Sequence, residues 1–112
     1  MGKNEIRTRR IAWEIIKRAS YRNRRLSDVS AEMFRKEGNL LNNHDRRFIT
    51  MLVQGTVRLS GRLDWELRQV FVGKYDDLKE SLRILLRLGT YQLLYMNSVP
   101  DYAAVTTTVQ LA

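Results

Sequence analysis

Cysteine is absent from the 112 residues. That excludes disulfides, thiolate metal sites and any cysteine nucleophile, and it fits a reducing compartment, the cytoplasm being the expectation. Proline occurs once and glycine six times, and no low-complexity tract or internal repeat reads as a disordered tail. No window reaches the roughly 18 unbroken apolar residues of a membrane span. The basic N-terminus is not followed by the apolar core of a secretory signal, so no membrane contact is expected. The single histidine, His44, has no partner at metal-ligand spacing. Glycine-rich phosphate loops, Ser/His/Asp combinations and histidine clusters are all missing. No catalytic residue, metal ligand or cofactor is therefore assigned, and the chain does not read as an enzyme.

What is present is apolar content sufficient for one modest core, 44% of residues, in a length that suits a single domain over 1–112. The formal net charge is +8. Its distribution matters more than its size. Residues 1–25 hold Lys3, Arg7, Arg9, Arg10, Lys17, Arg18, Arg22, Arg24 and Arg25 against only Glu5 and Glu14, which is +7 of the total. The remainder of the chain is nearly neutral. A field concentrated at one end attracts a polyanion, and nucleic acid or an anionic membrane are the usual ones.

Apolar positions recur with helical period throughout, with no run of strict alternation that would make a strand. A first helix is predicted from Asn4 to Ala19, burying Ile11, Ala12, Ile15, Ile16 and Ala19. A second is predicted to open with Ser27 as cap and to stop at Gly38. Asn42 or Asn43 caps the third, with Asp45 in its dipole-favoured first turn and a core stripe of Phe48, Ile49, Leu52, Val53, Thr56 and Leu59. A bend near Ser60-Gly61 leads to a fourth helix with Leu63, Leu67, Val70 and Phe71 inward, ended by Gly73. The fifth is predicted from Asp76, where Asp76-Asp77 read as a cap. It is apolar on two sides: Leu78, Leu82, Leu85, Leu86, Gly89 and Leu93 on one, Ile84, Leu88, Tyr91 and Tyr95 on the other. Such a helix lies between two layers. Gly55 and Gly89 fall inside helices, where close packing is the expected reason to tolerate them. Pro100-Asp101 opens a sixth helix whose Tyr102, Val105, Val109 and Ala112 read as the start of a core-facing stripe. The chain therefore reads as a fragment of a longer protein.

On the first helix, Arg7, Arg10, Lys17 and Arg18 lie side by side, and Trp13 falls between Arg9, Arg10 and Lys17, opposite the isoleucines. An exposed indole among cations can stack a base while guanidinium groups hold the flanking phosphates. The competing reading is an indole packed on another helix beside a solvated cationic face. With Arg22, Arg24 and Arg25 these residues form the candidate RNA-binding set. Arg47 and Arg58 share one side of the third helix, with Arg46 beside them. They read first as surface arginines pairing with nearby acids and second as an extension of the cationic track.

From the third helix onward the pattern becomes specific. Asp45-Arg46-Arg47-Phe48, Leu52-Val53-Gln54-Gly55-Thr56-Val57-Arg58 and Leu63-Asp64-Trp65 appear in order. They are followed by Leu82 to Tyr95, with its Tyr91-Gln92-Leu93-Leu94-Tyr95 segment, and by Val99-Pro100-Asp101-Tyr102-Ala103-Ala104-Val105. The chain resembles the NusB-like N-terminal domain of the Sun/Fmu type of 16S rRNA 5-methylcytosine methyltransferase more than free-standing NusB antitermination factors. In the first helix only Arg9-x-x-Ala12 matches. The resemblance implies an all-α bundle of about six helices, truncated at its C-terminus where the family continues with a Phe-Val-Asn-Gly-like segment. It also implies RNA contact through Arg7, Arg9 and Arg10, joined by Lys17 and Arg18. In such methyltransferases a separate S-adenosylmethionine-dependent domain does the chemistry with a cysteine, which this chain lacks.

The function expected from the sequence is thus an RNA-binding accessory domain that positions rRNA for a cytosine methyltransferase domain of the same parent chain. The rivals are a free-standing antitermination factor and a protein-interaction domain with a basic docking face. Loss of the family's last helices would uncover a hydrophobic groove lined in part by residues such as Tyr91, Tyr95 and Val109, through which two copies would associate; the competing outcome is a monomer that closes over the gap or tolerates the exposure.

Overall fold

A computed structural model describes residues 2–112, and its described part contains six α-helices and no strand. Helix α1 (Lys3–Arg22) buries Ile11, Ala12, Ile15, Ile16 and Ala19, the stripe its period requires. It runs a turn longer than the sequence suggests and stops at Asn23, whose φ of 49° lies in the left-handed region that asparagine tolerates. Two further residues lead into α2 (Leu26–Glu37). Ser27 is not its cap. Leu26 packs on the core and is already helical, so the serine falls inside the first turn and makes no capping bond. Gly38, at φ 56°, closes α2 as expected and begins a short 3-10 turn, Gly38–Leu40.

Helix α3 (Asn43–Arg58) starts with a reciprocal capping box. The Asp45 amide donates to Asn42 Oδ1 at 2.8 Å, and the Asn42 amide donates to Asp45 Oδ2 at 3.2 Å. After a bend at Leu59 comes α4 (Ser60–Val70), which buries Leu63 and Leu67. Val70, expected to face inward, is 75% exposed. α4 packs chiefly on α5, so its last turn overhangs the layer beneath it.

Helix α5 (Glu80–Tyr95) begins four residues later than its apolar pattern suggested. The segment before it forms a 3-10 turn, Tyr75–Asp77, anchored by buried Tyr75. Asp76 caps nothing and instead pairs with Arg68 at 2.7 Å. α5 is central, packing on α1, α3, α4 and α6. Its Ile84 and Leu88 enter the main core with Ile11, Ile15, Ile49, Leu52 and Val53. Leu93, assigned to a buried stripe, is 41% exposed.

Helix α6 (Asp101–Leu111) lies on α5 and α1 through Ala103, Ala104 and Thr107. These small residues at i, i+1 and i+4 bring it close, and the outward positions Tyr102, Val105 and Val109 stand in solvent rather than facing a core. Both interior glycines are packing glycines. A Cβ on Gly55 would meet the Tyr91 ring, and one on Gly89 would meet the Thr108 side chain. No helix among the described residues is long and apolar enough to cross a membrane.

Candidate nucleic-acid interface

The first two helices form an antiparallel pair whose outer face gathers cations from both. Arg10 in α1 reaches Glu37 at the end of α2, 3.8 Å apart, while Arg24 in the link bonds Glu32 in α2. Arg25 meets Asp28 at 3.4 Å. Within α1, Glu14 is shared by Lys17 at 2.9 Å and Arg18 at 3.8 Å. Arg10, Arg18, Arg22, Arg24 and Arg25 are exposed, whereas Arg7 and Lys17 are half-buried. Neither Arg7 nor Arg22 makes an ion pair among the described residues. Arg35 and Lys36, in the last turn of α2, are exposed on the same pair of helices. They lie outside the charge excess of residues 1–25 and are legible in the sequence only as two adjacent cations at the C-terminal end of a helix.

Two members of the expected set are placed elsewhere. Arg9 is 8% exposed and belongs to the inner face. Its Nε donates to Gln92 Oε1 at 2.9 Å, its Nη1 reaches Thr8 Oγ1 and the Glu5 carbonyl, and its guanidinium lies 4.4 Å from the centre of the Phe48 ring. Burial pushes its pKa below the ordinary arginine value, with the Glu5 charge opposing. The spacing carried this information, since Arg9 precedes Ala12 by three residues and Ile16 by seven and so shares their stripe.

Trp13 is not an exposed platform either. Its indole Nε1 donates to the Ser81 carbonyl at 2.8 Å, its ring packs against the core, and the Lys17 ammonium sits 3.7 Å from the ring centre. The start of α5 lies over this side of α1, where Ser81 accepts from the indole and Glu80 from the Ser20 hydroxyl, and this is why the indole is enclosed.

On α3, Arg47 and Arg58 are exposed and neither makes an ion pair among the described residues, against the first reading of that pair. Arg46 is half-buried and donates to the Gly38 carbonyl at 3.2 Å, which ties the 3-10 turn to α3 rather than extending a cationic track.

The conspicuous polar cluster away from this face is structural. Asp64 receives Arg87 through two bonds, at 2.7 and 3.0 Å, and the Tyr75 hydroxyl at 2.6 Å. Burial pushes the Asp64 carboxyl up, but these hydrogen bonds and the Arg87 charge outweigh it and leave the group below its ordinary value. The tie joins α4, the 3-10 turn and α5. His44 is exposed, and no group of three or more His, Cys, Asp or Glu side chains among the described residues could hold a metal ion.

On the far side, α4, α5 and α6 leave an apolar groove. Trp65, Leu67, Val70, Leu93 and Leu94 line a cleft of 420 Å³, which adjoins one of 170 Å³ between α5 and α6 at Leu86, Val105 and Val109. Thr90 and Leu93 border both. The groove expected from the sequence thus exists with a partly different lining. Val109 is in it, but Tyr91 packs against Gly55, and Tyr95 stacks on Tyr91 and bonds Glu66.

The model of the NusB family matches residues 6–112. Among curated proteins, a probable ribosomal RNA small subunit methyltransferase B of Synechocystis is 44% identical over 68 residues, covering 61% of this chain and 15% of its own length. One of the same description in Bacillus subtilis is 36% identical over 76 residues, covering 68% of this chain and 17% of its own length. A putative methyltransferase of Mycobacterium tuberculosis is 36% identical over 104 residues, 93% of this chain and 22% of its own length. The chain therefore spans less than a quarter of each of these relatives.

Proposed function

The chain belongs to the NusB family, and from that premise we propose that it is an RNA-binding domain without chemistry of its own, which positions ribosomal RNA for a cytosine methyltransferase domain. The observation that carries this reading is the α1–α2 face. Arg7, Arg10, Lys17, Arg18, Arg22, Arg24, Arg25, Arg35 and Lys36 stand there against Glu14, Asp28, Glu32 and Glu37. Such an excess on one side of a small domain is the electrostatic footprint of a phosphate-contacting surface. The relatives' description as ribosomal RNA methyltransferases favours this accessory role over a free-standing antitermination factor. The apolar groove of α4, α5 and α6 is the surface on which a catalytic domain would rest, on the side away from the cations.

The test is RNA binding by Arg10→Glu with Arg22→Glu, two exposed positions that leave the core intact. Affinity for single-stranded or loop RNA should fall sharply while helicity is kept. Wild-type affinity should fall with salt at a log–log slope near −0.7 for each phosphate contacted. Unchanged binding in the double variant would remove this face from the RNA role.

A further inference from the structure

One carboxylate of the α1–α2 face stands between cations of the link and of α2. Glu32, exposed on α2, accepts a hydrogen bond from Arg24 in the link between the helices. Arg35 follows it by three residues and so shares its side of α2. The Arg24 hydrogen bond first, with the charges of Arg24, Arg35 and Arg18 after it, holds the Glu32 carboxyl below its ordinary value although burial, the second-largest effect, opposes them. Two guanidinium groups, one bonded to Glu32 and one a turn away on the same side of α2, thus share a single acid. Arg35 makes no ion pair among the described residues.

Guanidinium groups bind carboxylates and phosphates through the same planar fork of N–H donors. Two of them beside one carboxylate can therefore take a phosphate oxygen pair in its place, with charge to spare. We propose that Arg24 and Arg35 form a subsite for one phosphodiester group of RNA, and that Glu32 fills it in the free protein as an internal competitor. The subsite rests on the RNA-binding reading and adds Arg35, a residue outside the 1–25 segment, as a contact. It also makes Glu32 a residue that sets affinity: RNA binds only as the Arg24–Glu32 pair opens.

Fluorescence anisotropy with a labelled single-stranded RNA oligomer tests this on the full chain. Glu32→Gln should tighten binding by roughly two- to fivefold, the scale of one exposed ion pair. Asp101→Asn, the same change of charge at the start of α6, should alter it less. Arg35→Gln should weaken binding by more than Lys74→Gln does and should lower the salt slope by about 0.7, one phosphate contact. Circular dichroism should show the same helicity in all four. Tighter binding in Glu32→Gln together with weaker binding in Arg35→Gln supports the subsite. If either variant behaves like its charge-matched control while the wild type binds RNA, the subsite is wrong and the broader RNA reading survives. If no variant and no wild-type protein binds RNA, both readings fall.

Discussion

The guanidinium of Arg9 spends its hydrogen bonds inside the protein, on Gln92, Thr8 and a turn of its own helix, with Phe48 stacked against it. A buried charge of this kind persists because each neighbour compensates it, and removing that compensation is costly. Arg9→Glu would set a carboxylate against the Gln92 carbonyl oxygen and the negative face of Phe48. Thermal unfolding followed by circular dichroism should show a loss of about 3–5 kcal/mol, the scale of an uncompensated buried charge. Arg9→Met should cost less, about 1–3 kcal/mol, because it leaves Gln92 Oε1 without its donor but introduces no wrong charge. If Arg9→Glu folds as stably as the wild type, the cluster is not a structural one. The same residue shows what sequence reading missed. Its charge argued for the surface, its spacing from Ala12 and Ile16 argued for the core, and the core position was decided by partners from α3 and α5 that no local pattern reveals.

Among the elements, the ones legible in advance were those whose signals are local. The stop at Gly38 and the stripe of α1 are written within a few residues and stand as the sequence predicts, whereas the cap of α3, open there between Asn42 and Asn43, falls on Asn42 with Asp45 completing a capping box. The start of α5 was not legible, because Leu78 continues an apolar spacing although Tyr75 anchors a 3-10 turn just before it. Tyr75 is held there by Asp64, and Asp64 by Arg87, so the turn depends on residues 11 and 23 positions apart. This tie should be visible in the pH dependence of stability. The folded Asp64 carboxyl lies below its unfolded value of about 3.9, so its contribution is complete above that value and is lost as pH falls through the folded one. At the other end, burial, followed by the bond to Asp64, pushes Tyr75 up to about 12. Its contribution is complete below the unfolded value of about 10 and is lost as pH rises through the folded one. Urea unfolding across both ranges should show Asp64→Asn with a flatter profile at each end than the wild type. Identical profiles would mean that the tie contributes nothing to stability.

For the molecule as a whole, charge and apolar surface lie apart. The cations are concentrated on α1 and α2, whereas Trp65, Val70, Leu93, Leu94, Val105 and Val109 leave an apolar groove on α4, α5 and α6, within the nearly neutral remainder of the sequence. A contiguous exposed patch of this kind favours a contact that removes it from water. A second copy of the chain offers a matching apolar face, and a shared groove would close as a two-fold pair. The net charge of +8 opposes that pairing through repulsion between copies. Salt screens the repulsion over about 10 Å at 0.1 M and leaves the apolar attraction in place. Ionic strength should thus act in opposite directions on the two surfaces, weakening RNA binding while strengthening association. Light scattering at several concentrations should show a rise in mass as salt is raised. Leu93→Asp, at a position exposed in the wild type and bordering both clefts, should suppress that rise without loss of helicity. A monomer at every concentration and salt, with no binding of an apolar dye, would show that the groove tolerates water and that copies of the chain do not meet through it.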